Sequence, residues 1–395
     1  MKAITRTILI LSLVSLFNDI ASEMLLPILP IYLQSVKFSV LFIGVLEGLA
    51  EATSSISKGY FGKISDKTGR RMPFVTWGYA LSALSKPMLV IWFNPAWVFF
   101  SRTMERLGKG IRTAARDAIL SDESAHGDRG KVFGFHRAMD TVGAAIGPSL
   151  ALLFLFFHKG DYAPLFYIAF FPGILAVSLT FLVKEKKTEH SEIKKERVGF
   201  FSQFQYWKES PATYKALLAG LLVFALFNSA DAFLILKMKE SGADDITVIA
   251  IYIFYNLVYA LSAFPIGILS DKVGMKTMFV IGLIIFGGVY VGISFGHTIP
   301  VYLILFLLYG LYYACTEGVS KAWISKLCDR KDTATAIGVY SGLQSICTFI
   351  ASSLAGFIWF RFGSVYVFFI SGAVAILVAL YLVVNKSLTT AKQVA

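Results

Sequence analysis

Apolar residues in this chain run in long blocks, and the blocks are separated by short polar or charged turns. A helix needs roughly 20 apolar residues to cross about 30 Å of hydrocarbon, so blocks of that length are expected to span a membrane. They fall near residues 5–33, 40–61, 74–93, 97–120, 132–157 and 163–183, and again near 213–236, 246–269, 277–295, 300–325, 333–357 and 363–385. The stretch 184–212 is the only long hydrophilic one, and it divides these twelve blocks six plus six. The pattern therefore predicts an all-α integral membrane protein. Twelve transmembrane helices would form two pseudo-symmetric six-helix bundles, residues 1–183 and 213–395, joined by the cytoplasmic linker 184–212. Within the linker, mixed charge gives way to Phe200, Phe201, Phe204, Tyr206 and Trp207. That order suits either an amphipathic helix on the inner leaflet or an unstructured tether with a membrane-touching end.

Composition removes the soluble alternatives. Of 395 residues 56% are hydrophobic, and the mean hydropathy is +0.67. A water-soluble fold would leave much of that apolar surface exposed. Charge then sets the orientation. With the N-terminus in the cytoplasm, the inner segments hold 24 Lys and Arg and the outer ones only five: Lys37, Lys159, Lys237, Lys239 and Arg361. Such asymmetry implies that both termini are cytoplasmic, and the expected location is the plasma (inner) membrane. The net charge of +12 follows from these membrane borders, so nucleic acid is not an expected partner. Lys2 and Arg6 precede an apolar run that continues through Asn18, Asp19 and Glu23, which reads as a first span rather than a cleaved signal. Cys315, Cys328 and Cys347 lack metal-ligand spacing, and no metal or bound cofactor is expected.

With Arg6, Arg116, Asp117 and Lys215 left to the cytoplasmic borders, sixteen Asp, Glu, Lys and Arg side chains fall inside the expected spans, eight acids and eight bases, with thirteen in the first half. Facing lipid, each would cost roughly 2.5–3.5 kcal/mol at mid-bilayer, so they are expected to face one another, water or a membrane border. Asp19 and Glu23 lie four apart on one helical face beside Asn18, and Pro27 and Pro30 loosen the outer end of that span. Two carboxyls so placed hinder joint ionisation, the condition under which a membrane carboxylate can carry a proton near neutral pH. The alternative is that arginines of a neighbouring span neutralise both. Glu47 and Glu51 repeat the spacing in the second span, with Lys58 beyond, and suit either pairing with the fourth span or contact with a substrate.

The fourth span is the densest, with Arg102, Glu105, Arg106, Lys109 and Arg112. Arg112, with Arg116 beyond it, also suits the cytoplasmic border, and Lys109 is open to the same reading. Arg137 and Asp140 in the fifth span suit a local pair. In the second half, Phe227-Asn228 echoes Phe17-Asn18 at an offset of 210, Asp231 follows, and Glu317 and Lys321 form a favourably ordered i, i+4 pair. Asn228, Asp231, Asn256, Glu317 and Lys321 join Asn18, Glu47, Glu51, Arg102 and Lys109 as candidate substrate contacts. Tyr255, Tyr312, Tyr313 and Gln344 are further polar candidates.

The two halves share a loop. Gly62-Lys-Ile-Ser-Asp66-Lys-Thr-Gly69-Arg70-Arg71 recurs 205 residues later as Gly267-Ile-Leu-Ser-Asp271-Lys-Val-Gly274-Met-Lys276. A charged turn at matching positions of two apolar halves indicates an internal repeat. The glycines permit close approach and a sharp turn, and Asp66 can cap a helix or bind Arg70. This G-x-x-x-D-x-x-G signature resembles that of the major facilitator superfamily. In that family the loop latches the cytoplasmic ends of the bundles, the gating role implied for Gly62, Asp66, Gly69, Arg70, Arg71, Gly267, Asp271, Gly274 and Lys276. The run from Arg106 to Gly110 resembles the family's fourth-span R-x-x-Q-G, with Lys109 where the pattern has Gln. Gly143, Gly147 and Pro148 resemble the start of its fifth-span antiporter motif, a close-packing and kinking element whose trailing glycines are here Leu150 to Leu153.

The resemblance covers essentially the whole chain, and the motif layout is closest to proton-coupled drug and metabolite antiporters. It implies a secondary active transporter of a small organic solute, working by alternating access with a central site between the bundles. Proton-coupled efflux is the favoured mechanism, with Asp19 or Glu23 carrying the proton, Arg106 responding to the charge change, and Asp140 part of the same relay. No G-x-x-x-x-G-K-[ST] phosphate loop is present, so the energy source is expected to be an ion gradient rather than a nucleotide cofactor or any catalysed reaction. The alternatives are import of an anionic metabolite clamped by Arg102, Arg106 and Lys109, and a non-transporting receptor or lipid flippase on the same scaffold. The expected partners are the solute and the lipid bilayer, and the expected state is a monomer.

Overall fold

The computed structural model describes residues 4–124, 129–183, 206–296, 298–328, 333–385 and 388. They form α-helices alone: α1 (Arg6–Leu25), α2 (Ile28–Ser35), α3 (Val40–Thr68), α4 (Met72–Ile91), α5 (Pro95–Asp122), α6 (Arg129–Phe157), α7 (Ala163–Thr180), α8 (Tyr206–Glu209), α9 (Ala212–Ala225), α10 (Ala232–Glu240), α11 (Asp245–Val273), α12 (Met275–Phe295), α13 (Ile299–Leu327), α14 (Thr333–Phe362) and α15 (Ser364–Val384). Short polar residues set several starts. Asn94 accepts the Ala96 amide at 2.9 Å ahead of Pro95, and Asp244 accepts the Thr247 amide at 2.8 Å.

Ten helices among the described residues are long and apolar enough to cross a membrane, against the twelve blocks read from the sequence. The two shortfalls have physical causes. The fourth block is one 28-residue helix, α5, but its charges take it below the hydropathy of a lipid-facing span. The seventh is divided into α9 and α10 by non-helical backbone from Leu226 to Asp231. The first block is also broken, at Leu26–Pro27, where the proline stands between α1 and α2.

The chain groups into two compact units, Met1–Lys37 with Leu49–Arg197 and Phe38–Gly48 with Val198–Ala395. In the first, α1 packs on α6 and α7, and α4 on α5 and α7. Its apolar core includes Ile8, Leu11, Val14, Val75, Tyr79 and Leu120. In the second, α12 packs on α13 and α15 just as α4 packs on α5 and α7, so the repeated loops introduce equivalent helices. One segment departs from the expected division at the linker. The first turns of α3 belong to the second unit, where Gly48 and Gly356 allow backbone contact with α14. A Cβ on Gly48 would lie 2.8 Å from the Phe349 carbonyl oxygen, and one on Gly356 3.0 Å from that of Val40. The expectation for the linker falls mainly on residues 184–205, outside the described residues; only the short α8 follows.

Candidate functional site

Asp19 and Glu23 sit half-buried on one face of α1, and the sequence of α6 explains their surroundings. Gly143 and Gly147 bring α6 against these two turns: a Cβ at 143 would lie 2.6 Å from the Leu16 carbonyl oxygen and 3.0 Å from Asp19 Cβ, and one at 147 would lie 2.6 Å from the Ile20 carbonyl oxygen. The helix runs unbroken through Pro148. Asn18, buried, donates to Asp19 Oδ1 at 3.1 Å. Among the described residues neither Asp19 nor Glu23 has a basic side chain within ion-pair distance.

The four arginines of α5 are engaged elsewhere. Arg102, buried, pairs with Glu105 one turn on, and Arg106 lies 3.7 Å from Glu51 of α3. Arg112 bonds Ser82 and lies 4.5 Å above the Tyr79 ring. Arg116 donates to Ser15 Oγ at 3.0 Å and pairs with Asp117 at 2.9 Å. Lys109, at the position of the family's Gln, is exposed. Of Glu47 and Glu51, expected to pair with the fourth span or to contact a substrate, Glu51 meets Arg106 of that span, while Glu47, one turn earlier on α3, groups with the second unit. These two ion pairs differ in burial, and so in expected cost. Glu105→Gln should destabilise by about 3 kcal/mol, because it removes the opposite charge beside a buried guanidinium. Glu51→Gln should cost about 1 kcal/mol or less, since its carboxylate is 46% exposed. Thermal unfolding of the two purified variants checks the contrast.

Asp140 does not form the expected pair with Arg137, which is exposed. Its neighbour is His136, 3.7 Å from Nε2 to Oδ1, while His136 Nδ1 meets Ser12 Oγ at 3.3 Å. Histidine's role was missed in the sequence, although its i, i+4 spacing to Asp140 was visible there. Lys86, in the third expected span, is a further embedded base. It is fully buried and donates to the Ser82 carbonyl at 2.9 Å.

In the second unit, three phenols converge on Asp231. Tyr255 donates to Oδ2 at 2.5 Å, and Tyr309 and Tyr313 donate to Oδ1 at 2.8 and 3.1 Å. Asn228 donates to Tyr312 Oη at 3.1 Å. Asn256 instead turns back to the Tyr252 carbonyl of its own helix, at 3.0 Å. Glu317 accepts from Tyr259 at 2.9 Å, and among the described residues this replaces the expected pair with exposed Lys321. Tyr309 gave no signal beyond being one of many aromatic residues.

The repeated loops share their local geometry. Ser65 and Ser270 Oγ donate to the Gly62 and Gly267 carbonyls at 2.8 and 2.7 Å, and the Gly69 and Gly274 amides return to the two serine carbonyls at 3.1 Å. Gly69 and Gly274 have φ of +64° and +94°, which favour glycine. The close approach expected of the leading glycines holds only at Gly62, where a Cβ would lie 2.9 Å from Ala114 Cβ; at Gly267 nothing lies within 4 Å. Arg71 pairs with Asp122, and Lys276 donates to the Val383 and Asn385 carbonyls at 3.3 Å. Arg70 is exposed. The side chains of Asp66 and Asp271 lie outside the described residues. Gly274→Ala should therefore cost about 1–3 kcal/mol of backbone strain. Gly267→Ala should be neutral or stabilise by up to about 1 kcal/mol. Melting temperatures of the two variants test this.

A family profile described as Major Facilitator Superfamily matches residues 11–244 and 216–394. The chain is 37% identical over 380 residues to an uncharacterized MFS-type transporter of Methanocaldococcus jannaschii, covering 92% of this chain and 93% of that one. It is 25% identical over 206 residues to the quinolone resistance protein NorA of Staphylococcus aureus, covering 51% and 52%. A crystal structure of a mutant of the nucleoside transporter NupG superposes with a TM-score of 0.83 at 13% identity, covering 96% and 99%, a likeness of fold.

Proposed function

The chain belongs to the major facilitator superfamily and is a secondary transporter, and from that premise we propose proton-coupled efflux of a small organic solute by alternating access. The observation that carries this reading is the state of Asp19 and Glu23. Each is held in a membrane helix without a basic partner among the described residues, while Arg102 and Arg106 are taken up by Glu105 and Glu51. A carboxyl group so placed is available to a proton, and its charge acts on neighbours that water does not screen.

Lys109 and Arg106 lie near enough to Glu23 to act on it through space. Protonation of Glu23 removes a charge that these bases feel, and Arg106 can then strengthen or release its long contact with Glu51. The carboxyls of α1 carry the proton, Asn18 orients Asp19, and the glycines of α6 keep that face tightly packed. Asp140 with His136 stands on the same α1–α6 seam and would pass protons along it. Asn228 and Asp231 of the second unit supply polar contacts to the solute, and the repeated loops act as the gate. The segmental similarity to NorA supports efflux. Import of an anion draws less support, because two of its three clamp residues already hold carboxylates. The inner membrane, cytoplasmic termini and a monomeric state complete the proposal.

A thermal-shift screen of the purified protein against metabolites and drugs at acidic and neutral pH should yield a ligand whose stabilisation depends on pH. In proteoliposomes that ligand should accumulate against its gradient when a pH gradient is imposed. Accumulation that ignores the pH gradient would rule out proton coupling.

A further inference from the structure

We infer that Asp231 and the tyrosines around it form a binding site for an organic cation, in the second unit alone. The inference rests on reading Asp231 as a substrate contact and assigns the charge of what it contacts. Three features of different origin converge on it.

The first is a negative group with no positive partner. Among the described residues no Lys, Arg or His lies within ion-pair distance of Asp231. Its carboxylate stands at the N-cap of α10 yet makes no capping bond. Instead it is fixed by Tyr255, Tyr309 and Tyr313, which bring hydrogen bonds but no charge. Glu317, held by Tyr259 one turn further along the same two helices, lies close enough to act on Asp231 through space and adds to the negative field.

The second is the break in the seventh block. Non-helical backbone at membrane depth is tolerated where it lines a cavity or is buried in protein. Here α9 ends at Ala225 and directs the negative end of its dipole toward Leu226–Asp231. Asn228 Oδ1 lies in this break, buried and without a hydrogen-bond partner among the described residues. The free acceptor and the helix end both favour a positive ligand.

The third is the wall. The ring centroids of Tyr255 and Tyr313 are 6.2 Å apart at an interplanar angle of 30°, and Tyr259 continues the wall 5.8 Å from Tyr313. Asp231, Tyr259 and Tyr313 are the partly exposed members of this group, and Tyr255 and Tyr309 are buried behind them. Ring faces attract an organic cation through the quadrupole, and more strongly when it is desolvated. A small, strongly hydrated sodium ion would make little use of these ring faces, which suit an organic cation.

The test is equilibrium binding of tetraphenylphosphonium to the purified full-length protein, beside its near-isosteric anion tetraphenylborate. The cation should bind at least about tenfold more tightly than the anion. Tyr313→Phe, which keeps the ring, should hold binding within about threefold, whereas Tyr313→Leu and Asp231→Asn should each weaken it by about tenfold or more. If Asp231→Asn fails to fold, the Tyr313 pair decides. Equal binding of the two ions, full binding in Tyr313→Leu, or displacement of the label by sodium would overturn the inference. Binding needs no proton gradient. Loss of cation selectivity with pH-driven flux intact sinks this inference alone, and selective binding without pH-driven flux sinks the coupling reading alone.

Discussion

Asp19→Asn is expected to abolish proton-driven accumulation, a loss of about 100-fold or more, while leaving a folded protein in the membrane. Aspartate and asparagine are nearly isosteric, and the residue meets α6 through its Cβ, 3.0 Å from the position of a Cβ on Gly143. Packing on that seam should therefore survive. Asn18 keeps an acceptor, because the amide oxygen can replace Asp19 Oδ1 in the 3.1 Å contact. What disappears is the titrating group. Glu23→Gln should give an equal loss, because the two carboxyls of α1 act as one proton-carrying pair. Both variants should still exchange labelled for unlabelled solute down a gradient, since exchange needs no net proton transfer. Solid-supported counterflow and pH-driven uptake, measured on the same preparations, distinguish lost coupling from lost binding.

The second large effect is structural. Gly147→Val should destabilise the protein by about 3 kcal/mol or more and weaken transport, because overpacking against a fixed backbone cannot be relieved by a rotamer change. A Cβ at this position would lie 2.6 Å from the Ile20 carbonyl oxygen and 2.7 Å from the Met24 amide nitrogen, both backbone atoms of α1. Those residues bracket Glu23, so separating α6 from α1 also displaces the acidic face. Gly288→Val is the control, since nothing lies within 4 Å of a Cβ there. Thermal unfolding should show a loss of several degrees at position 147 and little at 288.

The fold was legible because membrane helices satisfy their own backbone and must be long and apolar, and those requirements are written locally. Pro27 marked the break after α1, and the paired loops marked equivalent helices α4 and α12. The break after Ala225 was not legible. No proline stands there, and the Leu226-Phe227 run reads as continuous span. The candidate site was legible in its acids and not in its partners. Asp19 and Glu23 stood out because a charge is rare in such a block. Spacing could not say that Arg106 turns to Glu51, that Asp140 meets His136 rather than Arg137, or that three tyrosines from two helices close on Asp231. Those are tertiary choices among many compatible side chains. The glycines lie between these cases. Gly143 and Gly147 were visible as a motif, and only the packing of α6 showed that they fix the two turns bearing the acids.

Proton movement coupled to solute movement tests the account most directly. In weakly buffered proteoliposomes carrying an internal pH dye, adding the screened solute on one side should drive protons to that same side as the solute moves across, and Asp19→Asn should eliminate the signal. Solute flux with no pH change, or protons travelling with the solute, would contradict it.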